Sequence, residues 1–124
     1  MAEKIKLKSH SDTRGILTVL DNEIKFKIKR VYFIYNVKKT RGGHRHKKNI
    51  QALIAIKGKC TVFVDNSKIK KNFVLNKKNQ CLILEPKDWH IMKNFSKDCI
   101  LLVLCSNKYE KSDYIAEPYK KKND

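Results

Sequence analysis

His44 and His46 lie two residues apart in the segment Arg41-Gly42-Gly43-His44-Arg45-His46, the stretch of this chain best equipped for chemistry. On a β-strand, side chains spaced by two point to the same face, so both imidazoles would enter one space. Imidazoles titrate near neutrality and suit the taking and returning of a proton. Arg41 adds a permanent cation in the same segment, suited to a developing negative charge or a phosphate. The alternative is a barrel interior that merely tolerates satisfied histidines, and two such rings beside an arginine argue against it.

Further along stand Gln51 and the turn residue Gly58, and much later Pro86, Trp89, His90 and Asn94. This arrangement resembles the two motifs of the cupin superfamily. The first has paired histidines, an acidic residue and a turn glycine, at the positions of His44, His46, Gln51 and Gly58. The second has a proline, a histidine and an asparagine, at Pro86, His90 and Asn94, with one residue fewer between the first two and Asp88 near the motif's glycine. Metal-binding cupins hold a divalent ion with three histidines and a glutamate. Here His44, His46 and His90 match, but Gln51 replaces the carboxylate, and a neutral amide oxygen offsets no cationic charge. No metal is expected.

A closer resemblance spans residues 12–115. Asp12-Thr13-Arg14-Gly15 is similar to the Asp-x-Arg-Gly motif of sugar-nucleotide cupins, the deoxysugar epimerases included. Lys29-Arg30-Val31-Tyr32, Arg41-Gly42, His46-Lys47-Lys48, Trp89-His90 with Met92, Ser96-x-Asp98-Cys99, and Tyr109-Glu110 with Asp113-Tyr114-Ile115 resemble the dTDP-4-keto-6-deoxyglucose 3,4-ketoisomerases. Two positions depart from that family. Arg45 stands between the histidines where a small residue is usual, and Ile91 follows His90 where an acidic one is common.

The resemblance implies an isomerase that moves a carbonyl from C4 to C3 of a dTDP-linked 4-keto-6-deoxy sugar, without a cofactor. His44 and His46 are then the base and the proton shuttle, with the division of labour left open. Arg41 would steady the enediolate or a phosphate. Tyr32 would hydrogen-bond a sugar oxygen or relay a proton, with a core tyrosine as the alternative. Arg14 would bind the diphosphate, and Arg30, Gln51, Trp89 and His90 are expected on the substrate, although Trp89 and His90 also suit a plain core. The product would feed an aminotransferase making a 3-amino-3,6-dideoxy sugar for surface glycans. The same resemblance implies a homodimer with exchanged N-terminal strands. Competing readings are a 3,5-epimerase, a metal-dependent cupin enzyme, and a sugar-nucleotide-binding cupin without turnover.

Such a site needs a rigid β-scaffold, and the chain supplies short runs rich in β-branched and aromatic residues. Strands are expected over residues 5–8, 15–20, 30–35, 50–56, 60–65, 73–75, 81–85, 90–94 and 100–106. Turn chemistry separates them, as in Asp65-Asn66-Ser67 and Glu85-Pro86-Lys87-Asp88. No sustained helical period precedes residue 106. The expected fold is therefore all-β, a cupin-type jelly-roll barrel forming one domain over residues 1–124. A short C-terminal helix or arm follows, built on Tyr109, Tyr114, Ile115 and Tyr119, with order ending across residues 120–124.

Bulk composition agrees. The chain has 124 residues, enough for one core, of which 41% are hydrophobic. Its best apolar run, 99–105, is far short of the roughly 20 residues of a spanning helix, and no secretory leader is visible, so a cytoplasmic protein without a membrane partner is expected. Cys60, Cys81, Cys99 and Cys105 form no CxxC pair and read as buried thiols. The net charge of +17 comes from lysines spread along the chain, with only four arginines. No basic helix or arm is visible, so nucleic acid is not an expected partner. The same field serves a sugar diphosphate equally well.

Overall fold

The computed structural model describes residues 1–120. In chain order the strands are β1 (Glu3–Lys6), β2 (Lys8–Asp12), β3 (Gly15–Val19), β4 (Arg30–Tyr35), β5 (Arg41–His46), β6 (Gln51–Lys57), β7 (Cys60–Asp65), β8 (Lys70–Leu75), β9 (Gln80–Leu84), β10 (Trp89–Lys93) and β11 (Ile100–Cys105). A single turn of 3-10 helix, Lys111–Asp113, and the short β12 (Tyr114–Ile115) complete the described chain.

Two five-stranded antiparallel sheets, ordered β1-β9-β6-β11-β4 and β12-β5-β10-β7-β8, form the jelly roll, and β2 and β3 make a hairpin of their own. Alternation explains the layering. On β11, Leu101, Val103 and Cys105 point inward, meeting Leu53 and Ala55 of β6 and Val62 and Val64 of β7 in the core. The opposite face of the first sheet carries a second cluster of Leu7, Ala52, Ile54, Cys81 and Leu104, covered in part by Ile24 and Phe26. All four cysteines are free and buried.

The all-β jelly roll agrees with the sequence expectation, and two details differ. The run expected at 5–8 splits around Leu7, which turns inward and donates its backbone N–H to Asn79 O at 2.7 Å. Strand β5 contains two glycines and little β-branched content, so pairing with β10 and β12 makes it a strand where propensity does not. Of the expected helix or arm, the C-terminal segment takes the arm form, with β12 placing Tyr114 opposite His46 and Ile115 opposite Arg45. The expected end of order lies almost wholly outside the described residues. Among the described residues no helix is long and apolar enough to cross a membrane.

Gly58 closes the β6–β7 turn at φ +68°, where a Cβ would lie 2.8 Å from Cys99 Cα. Gly58→Ala is expected to lower stability by about 1–2 kcal/mol or more, read as a lower urea midpoint. An unchanged midpoint would contradict that packing.

Candidate active site

Three imidazoles meet inside one end of the barrel. His44 and His46 project from β5, and His90 of β10 sits opposite His44 in the strand register. Ring centroids are 4.9 Å apart for His44 and His46, 4.9 Å for His44 and His90, and 6.3 Å for His46 and His90. The approach depends on Gly42, at φ +89°, where a Cβ would fall 2.9 Å from His90 O. The register between β5 and β10 shifts between His90 and Ile91, beside this contact.

Each buried ring is anchored through Nδ1. His46 Nδ1 lies 2.9 Å from Asp113 Oδ2, in a pair that is almost fully buried. Asp113 also accepts the backbone N–H of Lys48 at 2.8 Å and of Asn49 at 3.4 Å. His90 Nδ1 is 3.1 Å from Asp88 O. A carbonyl only accepts, so this nitrogen carries the proton. Asp88 itself is held in the 85–88 turn, where its carboxylate accepts Glu85 N–H at 2.9 Å. Gln51 Nε2 donates to Tyr32 Oη at 3.1 Å. That leaves His46 Nε2, His90 Nε2 and Gln51 Oε1 buried with no protein partner. Unpartnered polar atoms inside a protein are costly and call for an explanation.

The electrostatics favour neutral bases. Burial, with His46 close by, pushes His44 down to about 4. Burial and the neighbouring histidines push His90 down to about 3. Burial lowers His46 too, against the upward pull of the Asp113 hydrogen bond and charge. Asp113 would be raised by its own burial, but the Lys48 N–H and His46 outweigh this and hold its carboxyl below the usual range. Tyr32 is pushed up to about 12, chiefly by burial, and so keeps its proton.

The remaining predicted site residues are distributed less evenly. Arg30 shares the inward face of β4 with Tyr32, its guanidinium 4.6 Å from the Tyr32 ring centre and 5.3 Å from that of the exposed Tyr109. Gln51 is almost fully buried beneath Tyr32, which makes it a support for that hydroxyl. Arg41 is exposed at the start of β5, in register with Met92. Trp89 alternates with His90 and faces the other way, its indole N–H donating to Ala116 O at 3.1 Å, so within this chain it holds the C-terminal arm. Arg14 is at the exposed tip of the β2–β3 hairpin, paired with Asp12 at 2.6 Å, and this hairpin joins neither the sheet that carries His44, His46 and His90 nor the other main sheet.

Sequence reasoning gave Asp113 no role and Tyr114 only a place in the C-terminal helix or arm. The Tyr114 ring packs 4.7 Å from His44 and 4.5 Å from His46. Both residues belong to the Asp113-Tyr114-Ile115 motif, which was the available signal; spacing alone does not join them to residues 44–46.

Comparison with known proteins shows the family. The model of the FdtA family (WxcM-like, C-terminal) matches residues 2–123. The TDP-4-oxo-6-deoxy-alpha-D-glucose-3,4-oxoisomerase of Aneurinibacillus thermoaerophilus is 38% identical over 117 residues, covering 91% of this chain and 84% of that protein. A 3,4-ketoisomerase from Helicobacter canadensis superposes with a TM-score of 0.88 at 36% identity, over 94% of this chain and 90% of that one. A histidine-to-asparagine variant of the Thermoanaerobacterium thermosaccharolyticum 3,4-ketoisomerase QdtA, in complex with TDP-4-keto-6-deoxyglucose, has a TM-score of 0.88 at 38% identity, over 94% of this chain and 87% of that one.

Proposed function

This chain belongs to the FdtA family and is an isomerase of the sugar-nucleotide 3,4-ketoisomerase kind, and from that premise we propose that it converts TDP-4-keto-6-deoxyglucose to a TDP-3-keto-6-deoxyhexose with His44 and His46 as its acid–base pair. The observation that carries the reading is the geometry of two neutral imidazoles on one strand, His46 with a bare Nε2 and Tyr32 close by as a proton-bearing hydroxyl.

The chemistry follows from the substrate. The C4 ketone acidifies the proton on C3, and one imidazole takes it. The C3–H electron pair becomes the C3=C4 double bond while the carbonyl pair moves onto the C4 oxygen, giving an enediolate. Returning a proton to C4 and moving the hydroxyl proton from the C3 oxygen to the C4 oxygen places the carbonyl at C3 and a hydroxyl at C4, with no net change in protons or electrons. Arg41 and Arg30 supply positive charge for the enediolate or the diphosphate, Tyr32 donates to a sugar oxygen, and His90 borders the ring pocket. Arg14 meets the diphosphate. The neutral Gln51 in place of a carboxylate supports a reaction without metal, so full turnover should survive exhaustive chelation. NMR of the sugar ring after incubation with TDP-4-keto-6-deoxyglucose should show the carbonyl at C3. Unreacted sugar, or inversion at C5 with the ketone still at C4, would contradict the proposal.

The active assembly is proposed to be a cytoplasmic homodimer with exchanged N-terminal strands, feeding an aminotransferase in the making of a 3-amino-3,6-dideoxy sugar for surface glycans. Val31, Phe33 and Tyr35 stand 56%, 60% and 57% exposed on the outer face of edge strand β4. The β2–β3 hairpin presents Ile16 and Leu17 while joining neither main sheet. An apolar groove of about 370 Å³ lined by Ile16, Leu20, Ile54, Leu102 and Leu104 lies between that hairpin and the first sheet. A long exposed edge and apolar face of this kind is covered in stable proteins. Phe33→Glu is expected to shift the mass measured by light scattering from dimer toward monomer; a monomeric wild-type chain would overturn the assembly.

A further inference from the structure

The C-terminal arm does more than close the barrel edge. The 3-10 turn lies against the loop after β5, with Lys47 N–H donating to Asp113 O at 2.9 Å, Lys48 N–H to Asp113 Oδ1 at 2.8 Å and Asn49 N–H to Asp113 Oδ2 at 3.4 Å. These donors hold the carboxylate in one orientation, with Oδ2 on His46 Nδ1. A carboxylate only accepts, so His46 Nδ1 must carry a proton, and the neutral ring then presents a bare Nε2. That Nε2 is buried and has no partner among the described residues. An imidazole fixed in this way has its lone pair available for a substrate proton.

We propose that Asp113, for which no role has been assigned, is the positioning residue of the proton-transfer pair: it locks His46 in the Nδ1–H tautomer and aims Nε2 at the sugar. The inference rests on the isomerase reading and deepens it. Asp113 touches no reacting atom in this scheme and acts through His46. Tyr114, next in sequence, packs its ring against both His44 and His46, so one short segment arriving from the far end of the chain fixes both rings. Other groups facing His46 are His44 on its own strand, His90 from β10, Arg30 from β4 and Gln51 from β6. Only Asp113 among these is anionic. Its loss therefore leaves His46 harder to protonate, and the acid limb of kcat/KM should move to lower pH.

Asp113→Asn tests this. The asparagine side chain both donates and accepts, so the ring is free to adopt either tautomer. Turnover should fall about 100-fold or more, the scale of lost acid–base catalysis. KM for the sugar nucleotide should stay within a few-fold, the acid limb should shift downward, and Asp113→Glu should recover part of kcat. A purely structural role would leave the acid limb in place. Nitrogen-15 NMR of the wild-type imidazoles supplies a readout independent of turnover and of how the variant folds: His46 should be protonated on Nδ1 and bare on Nε2. A wild-type His46 protonated on Nε2 overturns the proposal, as does an Asp113→Asn enzyme with kcat within threefold of wild type and an unmoved limb. A wild-type chain that turns over no sugar would instead sink the isomerase reading, while the imidazole spectrum would still decide the role of Asp113.

Discussion

Asparagine at either His44 or His46 is expected to cut turnover about 100-fold or more, with the barrel still folded. The amide of asparagine approximates the imidazole in size and polarity but takes no proton near neutral pH. His44 is only half-buried, so little of the fold depends on its ring. His46→Asn costs more, because Asp113 loses its ring partner; the Lys48 and Asn49 N–H groups still hold that carboxylate, so a loss of about 1–2 kcal/mol is expected. Product formation measured beside circular dichroism separates chemistry from folding. Undiminished turnover in both variants would refute the pair as base and shuttle.

Acid instability is the second large effect. His90 stays neutral in the folded chain down to about pH 3, whereas an unfolded histidine takes its proton near 6.5. Between those values the unfolded chain binds more protons, so stability falls as pH falls, by about 1.4 kcal/mol per pH unit from this group. His44, lowered to about 4, acts in the same direction, but its partial exposure screens the effect. Asp88, raised by burial, works the other way and only near the carboxylate range. Thermal unfolding should thus show a clear fall in Tm from pH 7 to pH 5, shallower in His90→Gln. A Tm flat across that interval would contradict the buried, neutral His90.

Local signals made most of the frame legible. Runs rich in β-branched and aromatic residues, bounded by turn residues, marked β4, β6, β7, β9, β10 and β11 closely, and the spacing of His44 and His46 placed both rings on one face. What stayed hidden depends on contacts between distant residues. Asp113 reaches His46 across a separation of 67 residues, and nothing near either one shows that the chain returns there. Gly42 looks like a loop glycine until β10 is seen passing over it. Trp89 sits beside His90 in sequence, but strand alternation sends it to the other face, where it serves the arm. Arg14 forms a recognisable motif with Asp12, yet its hairpin pairs with neither main sheet.

In the proposed reaction, paired imidazoles carry protons between solvent and the two sugar carbons of the enediolate. Running the reaction in deuterated water and reading the sugar by NMR tests it most directly. Solvent deuterium is expected at C4 of the 3-keto product and at C3 of recovered substrate, with both signals lost in His44→Asn or His46→Asn. Deuterium entering at C5, or product forming with no solvent deuterium at C4, would contradict it.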